Sequence, residues 1–347
     1  MKIVADENIA GLQKYFAEAG SLLTLPGRQM TAADVAEADV LLVRSVTRVD
    51  RHLLQGSKVR FVGSCTIGTD HLDIPWLEAE GITWAHAPGC NARAVVDYVL
   101  ASFMVLQLDL SRITVGIVGC GYVGGLLQRQ LQALNIKHLC CDPFLENTSD
   151  INYQPLAELL GQCDVLCLHT PLTHDGPHPT HHLIGQKELQ QMKPDAVLLN
   201  AGRGAVVDNA ALLQHLGEQE RFRTVLDVWE NEPLPLAPLL ERAVIATPHI
   251  AGYSMAGKWR GTQIIYQRFC QHFRLEPRDV SWPVALMADE KGRRSVRDYV
   301  LSVYDPRNDT ARFKATLLLD EEARSSKFDE LRKKYGHRQE LPALVTP

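Results

Sequence analysis

Three residues of different chemical kinds follow separate apolar runs in the second half of the sequence. Arg203 lies in NAGRG, Glu232 in DVWENEP and His249 in TPHIAGY. Arginine offers a permanently charged fork for a carboxylate, and histidine can take a hydroxyl proton near neutral pH. Glutamate can hold the second ring nitrogen of that histidine and favour its charged form. If the three side chains meet, they supply the carboxylate-binding group and the proton acceptor for oxidation of an alcohol by a separate hydride acceptor.

Each of these residues also has a structural interpretation. Arg203 can be a loop cation, Glu232 a turn carboxylate before Pro233, and His249 a hydrogen-bonded histidine at the end of a strand. Their shared position after predicted strands of one sheet favours the catalytic interpretation.

A glycine-rich turn, GCGYVG, places Gly119, Gly121 and Gly124 between a strand-like run and a helical run. Such glycines allow a tight turn, close approach of a pyrophosphate to backbone amides, and close helix packing. Asp142 ends the next predicted strand, where a carboxylate accepts hydrogen bonds from an adenosine ribose. The carboxylate would repel the 2′-phosphate of NADP, so the sequence predicts an NAD site.

Two further residues stand where a cofactor could reach them. Thr170 ends the strand before Pro171, and Asp227 ends the run TVLD. Thr170 can contact the cofactor or be a simple turn hydroxyl. Asp227 can contact the nicotinamide carboxamide or ribose, or be a buried structural aspartate.

Four histidines crowd into the segment THDGPHPTHHL, at positions 174, 178, 181 and 182. Two prolines and a glycine break any shared helical face, and the segment has no set of carboxylates or thiols. We therefore predict a surface loop and no metal site.

Strand-like runs alternate with helical runs through most of the chain, which predicts parallel sheets covered by helices on both faces. A helix from Asn91 to Gln107 and a long one after Tyr253 are predicted to connect two such sheets. The predicted strands cover 2–5, 40–45, 59–65 and 82–87 in the first series, and 113–119, 138–142, 164–169, 196–200, 224–228 and 244–247 in the second.

Composition and charge exclude several classes of protein. The chain has 347 residues, of which 46% are hydrophobic, and a net charge of −5, so we expect neither nucleic acid nor a membrane as a partner. The first residues contain Asp6 and Glu7 before any apolar signal region can form, which predicts a cytoplasmic protein. The eight cysteines lie mostly in strand-like runs and are expected to be small buried side chains.

Charge density rises from Ala288 onward, yet apolar residues repeat there at helical spacing, which predicts a small folded appendage. We predict a substrate domain of residues 1–91 and 255–280, a nucleotide-binding domain of residues 92–254, and a C-terminal domain of residues 281–347.

The glycine turn with Asp142, and the segments NAGRG, DVWENEP and TPHIAGYS, together resemble the D-isomer-specific 2-hydroxyacid dehydrogenases. The resemblance covers nearly the whole chain. It implies a Rossmann-type NAD-binding domain, a flavodoxin-like substrate domain and a small C-terminal α+β dimerisation domain. It assigns catalysis to Arg203, Glu232 and His249, and it implies substrate contacts for Ser45, Thr66 and Tyr253 and cofactor contacts for Asp142, Thr170, Asp227 and Gly252.

The expected partners are therefore NAD, a phosphorylated hydroxy acid and a second copy of the chain. The cation that binds the phosphate stays open among Arg44, Lys258 and Arg260. Two alternatives also stay open: a related enzyme acting on phosphoglycerate or hydroxypyruvate, and an NAD-responsive binding protein without catalysis.

Overall fold

The structure, a computed structural model, describes residues 1–145, 147, 151, 153–280, 295–336 and 338–341. Its contacts divide the described chain into two compact units. Unit 1 holds residues 1–91 and 254–280, and unit 2 holds residues 92–253 and the described residues from 295 onward. The predicted start of the C-terminal domain, residue 281, lies outside the described residues. The division into three domains stays a prediction.

Unit 1 contains a parallel sheet with the strand order β2-β1-β3-β4-β5. This is the flavodoxin-like order predicted for the substrate domain. The sequence pattern does not predict β2, because this edge strand is mostly exposed and lacks a continuous apolar run. The strands are β1 (Lys2–Asp6), β2 (Ser21–Leu25), β3 (Val40–Val43), β4 (Phe61–Ser64) and β5 (Thr83–His86).

The central strands of this sheet carry apolar side chains on both faces, so both faces need to be covered. Helices cover them, and the central strands are buried. The long helix after Tyr253 is confirmed, and its aromatic side chains pack on one face of the sheet. The helices of unit 1 are α1 (Leu12–Phe16), α2 (Ala32–Val35), α3 (Arg51–Leu54), α4 (Ile74–Ala79) and α11 (Met255–Phe273).

Unit 2 contains a parallel sheet with the order β11-β10-β9-β8-β6-β7, and all six strands of the predicted second series are present. A single parallel bridge from Cys140 to Tyr153 lies beside β7, at the place of a further edge strand in the Rossmann order. The strands are β6 (Thr114–Val118), β7 (Lys137–Cys141), β8 (Val165–Leu168), β9 (Val197–Asn200), β10 (Arg223–Leu226) and β11 (Ile245–Ala246).

Two apolar clusters cover the two faces of the second sheet. The predicted helix from Asn91 to Gln107 is observed from Ala92 to Val105 and is buried along most of its length. The helices that precede the C-terminal segment are α5 (Ala92–Val105), α6 (Tyr122–Ala133), α7 (Leu156–Leu160), α8 (Gln186–Gln191), α9 (Asn209–Glu218) and α10 (Ala237–Arg242).

The C-terminal segment is folded, as predicted, and packs on unit 2 through buried Phe313 and Phe328. It consists of α12 (Val296–Val303), α13 (Pro306–Lys314), a 3₁₀ turn (Ala315–Leu318) and α14 (Glu321–Lys333). The predicted α+β character is not observed, because residues 295–336 and 338–341 contain helices and no strand.

The cysteines are small buried side chains, as predicted. All eight lie in the described part of the chain and are buried. Among the helices that the structure describes, none has the length and apolar character to cross a membrane.

Candidate active site

The glycine turn lies between β6 and α6 and needs its glycines for two different reasons. Gly119 has a left-handed φ of 84°, which favours glycine. A Cβ at Gly124 would collide with the carbonyl oxygen of Gly119, whereas a Cβ at Gly121 would meet no atom within 4 Å. The turn is thus closed at Gly119 and Gly124 and open at Gly121, directly before the N-terminus of α6, where backbone amides favour an anion.

Asp142 follows β7 and holds the same turn. Its Oδ2 accepts a 2.9 Å hydrogen bond from the Cys120 amide, and its Oδ1 accepts one of 3.1 Å from the Phe144 amide. A carboxylate offers about four acceptor positions, so the side chain can still accept from a ribose diol.

Beside the turn lies a cavity of about 940 Å³ whose lining includes Gly119, Asp142 and Thr170. The Thr170 hydroxyl is buried and has no hydrogen-bond partner among the described residues. A buried polar atom without a partner is rare and calls for a ligand or water. The open position at Gly121, the Asp142 carboxylate and this hydroxyl fit the requirements of a bound dinucleotide.

His249 and Glu232, 17 positions apart in sequence, meet after β11 and β10. The Nδ1 atom of His249 lies 2.8 Å from the Oε2 atom of Glu232, and the Oε1 atom of Glu232 accepts a 3.0 Å hydrogen bond from the Trp229 amide. Burial raises the pKa of Glu232, but the charge and hydrogen bond of His249, with further help from Arg332 and the Trp229 amide, lower it overall. An ionised carboxylate can only accept, so Nδ1 donates and Nε2 is left for other partners.

The backbone around His249 is held in an uncommon conformation. His249 has a φ of 57°, in the left-handed region, and its amide donates a 2.7 Å hydrogen bond to the carbonyl oxygen of Asp227. A residue other than glycine pays about 1–2 kcal/mol for this conformation, so the surroundings must impose it.

Asp227 imposes much of that conformation. Its carboxylate accepts from the Thr247 hydroxyl at 2.6 Å and from the amides of Ile250 and Ala251 at 2.8 and 2.9 Å. Burial raises the pKa of Asp227, and the charge of His249 and these hydrogen bonds oppose that rise. These contacts support the structural interpretation of Asp227, while its predicted cofactor contact stays a prediction.

Arg203 follows β9 in a loop that is fixed at several points. Asn200 accepts from the Gly202 amide at 3.1 Å and donates to the carbonyl oxygen of Arg203 at 2.9 Å. A Cβ at Gly204 would collide with the backbone of Trp229. The loop that carries Arg203 therefore packs directly on the loop that leads to Glu232.

A charged residue of the C-terminal segment also reaches this region, and sequence analysis missed it. The guanidinium of Arg332, on α14, lies 5.9 Å from the ring centroid of Tyr253 and 5.7 Å from that of Phe328. Its side chain is only 10% exposed. Arg332 lies four positions after Phe328 and so shares the buried face of α14, which is the signal that could have revealed it.

The predicted substrate residues Ser45 and Thr66 lie in unit 1. Ser45 follows β3 and is exposed, and Thr66 follows β4. The Thr66 hydroxyl lies 2.9 Å from the hydroxyl of Ser64, which in turn lies 2.9 Å from the Nε2 atom of His71. Gly252 and Tyr253 belong to unit 2 with His249, and the roles assigned to all four residues stay predictions.

The histidine-rich segment is irregular and mostly exposed, as expected of a surface loop. However, a carboxylate does accompany it: Glu230 lies 2.6 Å from the Nε2 atom of His182, although the two are 48 positions apart. The segment itself holds no set of carboxylates, and Glu230 reaches it from another loop. The absence of a metal site stays a prediction.

Comparison with known proteins identifies the sequence family. Residues 98–251 match the family described as D-isomer specific 2-hydroxyacid dehydrogenase, NAD binding domain, and residues 282–346 match a domain of unknown function. Erythronate-4-phosphate dehydrogenase from Azotobacter vinelandii is 48% identical over 99% of this chain and 94% of its own length. The enzyme of that name from Pseudomonas entomophila is 49% identical with the same coverage.

Solved structures show the same fold at lower identity. D-lactate dehydrogenase from Aquifex aeolicus, complexed with NAD and lactic acid, has a TM-score of 0.68 at 22% identity and covers 79% of this chain and 96% of its own. The NAD⁺-bound 3-phosphoglycerate dehydrogenase of Entamoeba histolytica has a TM-score of 0.68 at 24% identity, with 79% and 95% covered. Both support the fold alone.

Proposed function

The chain belongs to the erythronate-4-phosphate dehydrogenases, within the D-isomer-specific 2-hydroxyacid dehydrogenase family, and we propose that it oxidises 4-phospho-D-erythronate with NAD. The product is (R)-3-hydroxy-2-oxo-4-phosphooxybutanoate, and the reaction serves pyridoxal 5′-phosphate biosynthesis. The observation that best supports this chemistry is the 2.8 Å distance between the Nδ1 atom of His249 and the Oε2 atom of Glu232. The same unit contains a glycine turn of the type that binds dinucleotides.

The roles of the three catalytic residues follow from their chemistry. Arg203 binds the substrate carboxylate and the C2 oxygen through its planar fork. His249 takes the C2 hydroxyl proton on Nε2, because its Nδ1 is committed to Glu232. Glu232 keeps the ring in this tautomer and stabilises the imidazolium that forms, as carboxylates do in other histidine bases.

The cofactor is held by residues of unit 2. Backbone amides of the glycine turn would bind the pyrophosphate, Asp142 would accept from the adenosine ribose, and Thr170 would supply the hydroxyl that lacks a partner within the described chain. When bound, NAD would supply the acceptor for the hydride from C2. Asp227 and Gly252 contribute to the same site.

Substrate contacts are proposed for Ser45, Thr66 and Tyr253.

We also propose that the protein works in the cytoplasm as a homodimer assembled through its C-terminal segment. Analytical ultracentrifugation of the full chain is expected to show the mass of two copies, and a monomer at micromolar concentration would contradict the dimer.

The test of the function is NADH formation with a panel of D-2-hydroxy acids. The highest kcat/KM is expected for 4-phospho-D-erythronate, ahead of 3-phospho-D-glycerate and D-glycerate. A higher kcat/KM for another acid would contradict the proposed substrate but would still support a D-2-hydroxyacid dehydrogenase. A single-turnover measurement belongs to the panel, because slow cofactor release can hide the chemical step. No NADH from any acid in a single turnover would favour a binding protein instead.

A further inference from the structure

Three potential metal ligands come together on unit 2 outside the groups that the reaction uses. His181 and His182 end the histidine-rich loop, and Glu230 lies in the loop after β10. One ligand atom from each of the three lies within 4.8 Å of the others. The two imidazole rings are stacked with centroids 4.0 Å apart, and the ring of His174 stands 4.7 Å from that of His181.

Two of the three ligands, His182 and Glu230, already have polar neighbours of the kind that support metal ligands. The Nδ1 atom of His182 faces a carboxylate oxygen of Asp208 at 3.7 Å, while its Nε2 atom faces Glu230 at 2.6 Å. The 3.7 Å gap exceeds hydrogen-bond distance, and closing it would let the Asp208 carboxylate orient the ring and leave the other nitrogen for a metal. Asn209 fixes Glu230 from both sides, since its amide donates to Oε2 at 3.0 Å and its Oδ1 accepts from the Glu230 amide at 3.2 Å.

The backbone holds His182 in place before any ligand arrives. His182 has a left-handed φ of 51°, and its amide donates a 2.8 Å hydrogen bond to the carbonyl oxygen of Ala205. Ile184 continues this pairing with Val206 and Val207. The ring of His182 is thus carried by a fixed and unfavourable backbone conformation, whereas His181 is exposed and open to solvent.

We propose that His181, His182 and Glu230 bind a divalent transition-metal ion of the Zn²⁺ type. Two imidazole nitrogens and one carboxylate oxygen are a common zinc ligand set, with water in the fourth position. In a tetrahedral site, ligand atoms about 2.0–2.2 Å from zinc lie roughly 3.3–3.6 Å from one another. The His182 and Glu230 atoms, now 2.6 Å apart, need to separate by about 0.7–1.0 Å, and the exposed ring of His181 can turn toward them.

The bound ion ties two loops of unit 2 together. One loop runs from Thr170 to His182, and the other carries Glu230 two residues before Glu232. A ligand that binds the folded state alone stabilises it, so zinc raises the melting temperature of the protein. Because a metal binds the deprotonated imidazole and competes with protons for it, the affinity for zinc falls as the pH is lowered.

The test is calorimetric titration of the full chain with Zn²⁺, together with the visible absorption spectrum of added Co²⁺. The wild type is expected to bind one ion per chain, and His181→Ala and Glu230→Gln are each expected to weaken binding by at least about tenfold. His178→Ala is the matched control: His178 lies in the same loop, but its ring packs against Phe144, so its removal leaves zinc affinity unchanged.

No zinc binding by the wild type, or equal affinity in the wild type, His181→Ala and Glu230→Gln, overturns the proposal. If Glu230→Gln loses its fold by circular dichroism, His181→Ala decides alone, because its side chain is exposed. Loss of affinity in His178→Ala to the same extent as in His181→Ala also overturns it, since binding would then be a general property of the loop. None of these outcomes depends on catalysis.

Discussion

Residue by residue, the proposed chemistry depends on a histidine that one carboxylate keeps in a single tautomer. Glu232 has two oxygens and two partners, the His249 ring and the Trp229 amide. Because the pKa of Glu232 is lowered in the folded protein, its pairing is present above the ordinary carboxylate range and is lost as the pH falls through that lowered value. The carboxylate is therefore charged at every pH near neutrality.

Replacement of Glu232 by glutamine removes the charge and keeps the shape. We expect Glu232→Gln to lower kcat by about 10²-fold, because the amide cannot stabilise the imidazolium and can bind the wrong tautomer. Stopped-flow NADH formation measures this effect. Glu220→Gln, on the exposed surface, is the control and should turn over like the wild type. A Glu232→Gln enzyme within twofold of the wild type would show that His249 does not need this carboxylate.

At the scale of elements, the proposed active site is built from strand ends together with one helix of the C-terminal segment. The parallel strands were predictable because strands buried on both faces form continuous apolar runs, and the glycine turn marks the first of them in unit 2. The exposed edge strand β2 lacks that signal. Arg332 is buried on α14, but the many charged residues around it in the sequence hide the apolar spacing that marks the buried face of this helix. The pairing of Glu230 with His182 joins residues 48 positions apart, which no local pattern reports.

Arg332 gives α14 an electrostatic influence on the Glu232 carboxylate, since its charge is among the causes that lower the pKa of Glu232. In Arg332→Met we expect the acid limb of the kcat profile to move to higher pH, and Arg332→Lys should restore it in part. Lys333→Met, on the exposed side of the same helix, should leave the profile unchanged. An identical profile in Arg332→Met would mean that α14 has only a packing role.

For the whole molecule, the C-terminal end of the described chain is hydrogen-bonded to α5, the first helix of unit 2. The Asp97 carboxylate on α5 accepts from the Leu341 amide at 2.8 Å and from Arg93 at 3.0 Å, and Arg93 also donates to the carbonyl oxygen of Leu341. Burial raises the pKa of Asp97 to about 6 from its ordinary 3.8, although Arg93, the Leu341 amide and Arg338 oppose the rise.

This raised pKa makes stability depend on pH in a defined direction. The folded state binds the Asp97 proton more tightly than the unfolded state, so stability relative to Asp97→Asn should fall as the pH rises from about 3.8 to about 6. The expected change is on the order of 3 kcal/mol, from about 1.4 kcal/mol per pKa unit. Urea unfolding of both chains across this range measures it. Asp195→Asn, at an exposed site, should show no such trend, and a parallel course for wild type and Asp97→Asn would refute the argument.

The most direct test of the central claim is a crystal structure of the chain with NAD and 4-phospho-D-erythronate bound. We predict that the C2 hydroxyl lies within hydrogen-bond distance of the His249 Nε2 atom, that the substrate carboxylate binds the guanidinium of Arg203, and that Glu232 is still hydrogen-bonded to Nδ1. A substrate whose C2 atom lies far from His249, or a His249 ring that has left Glu232, would contradict it.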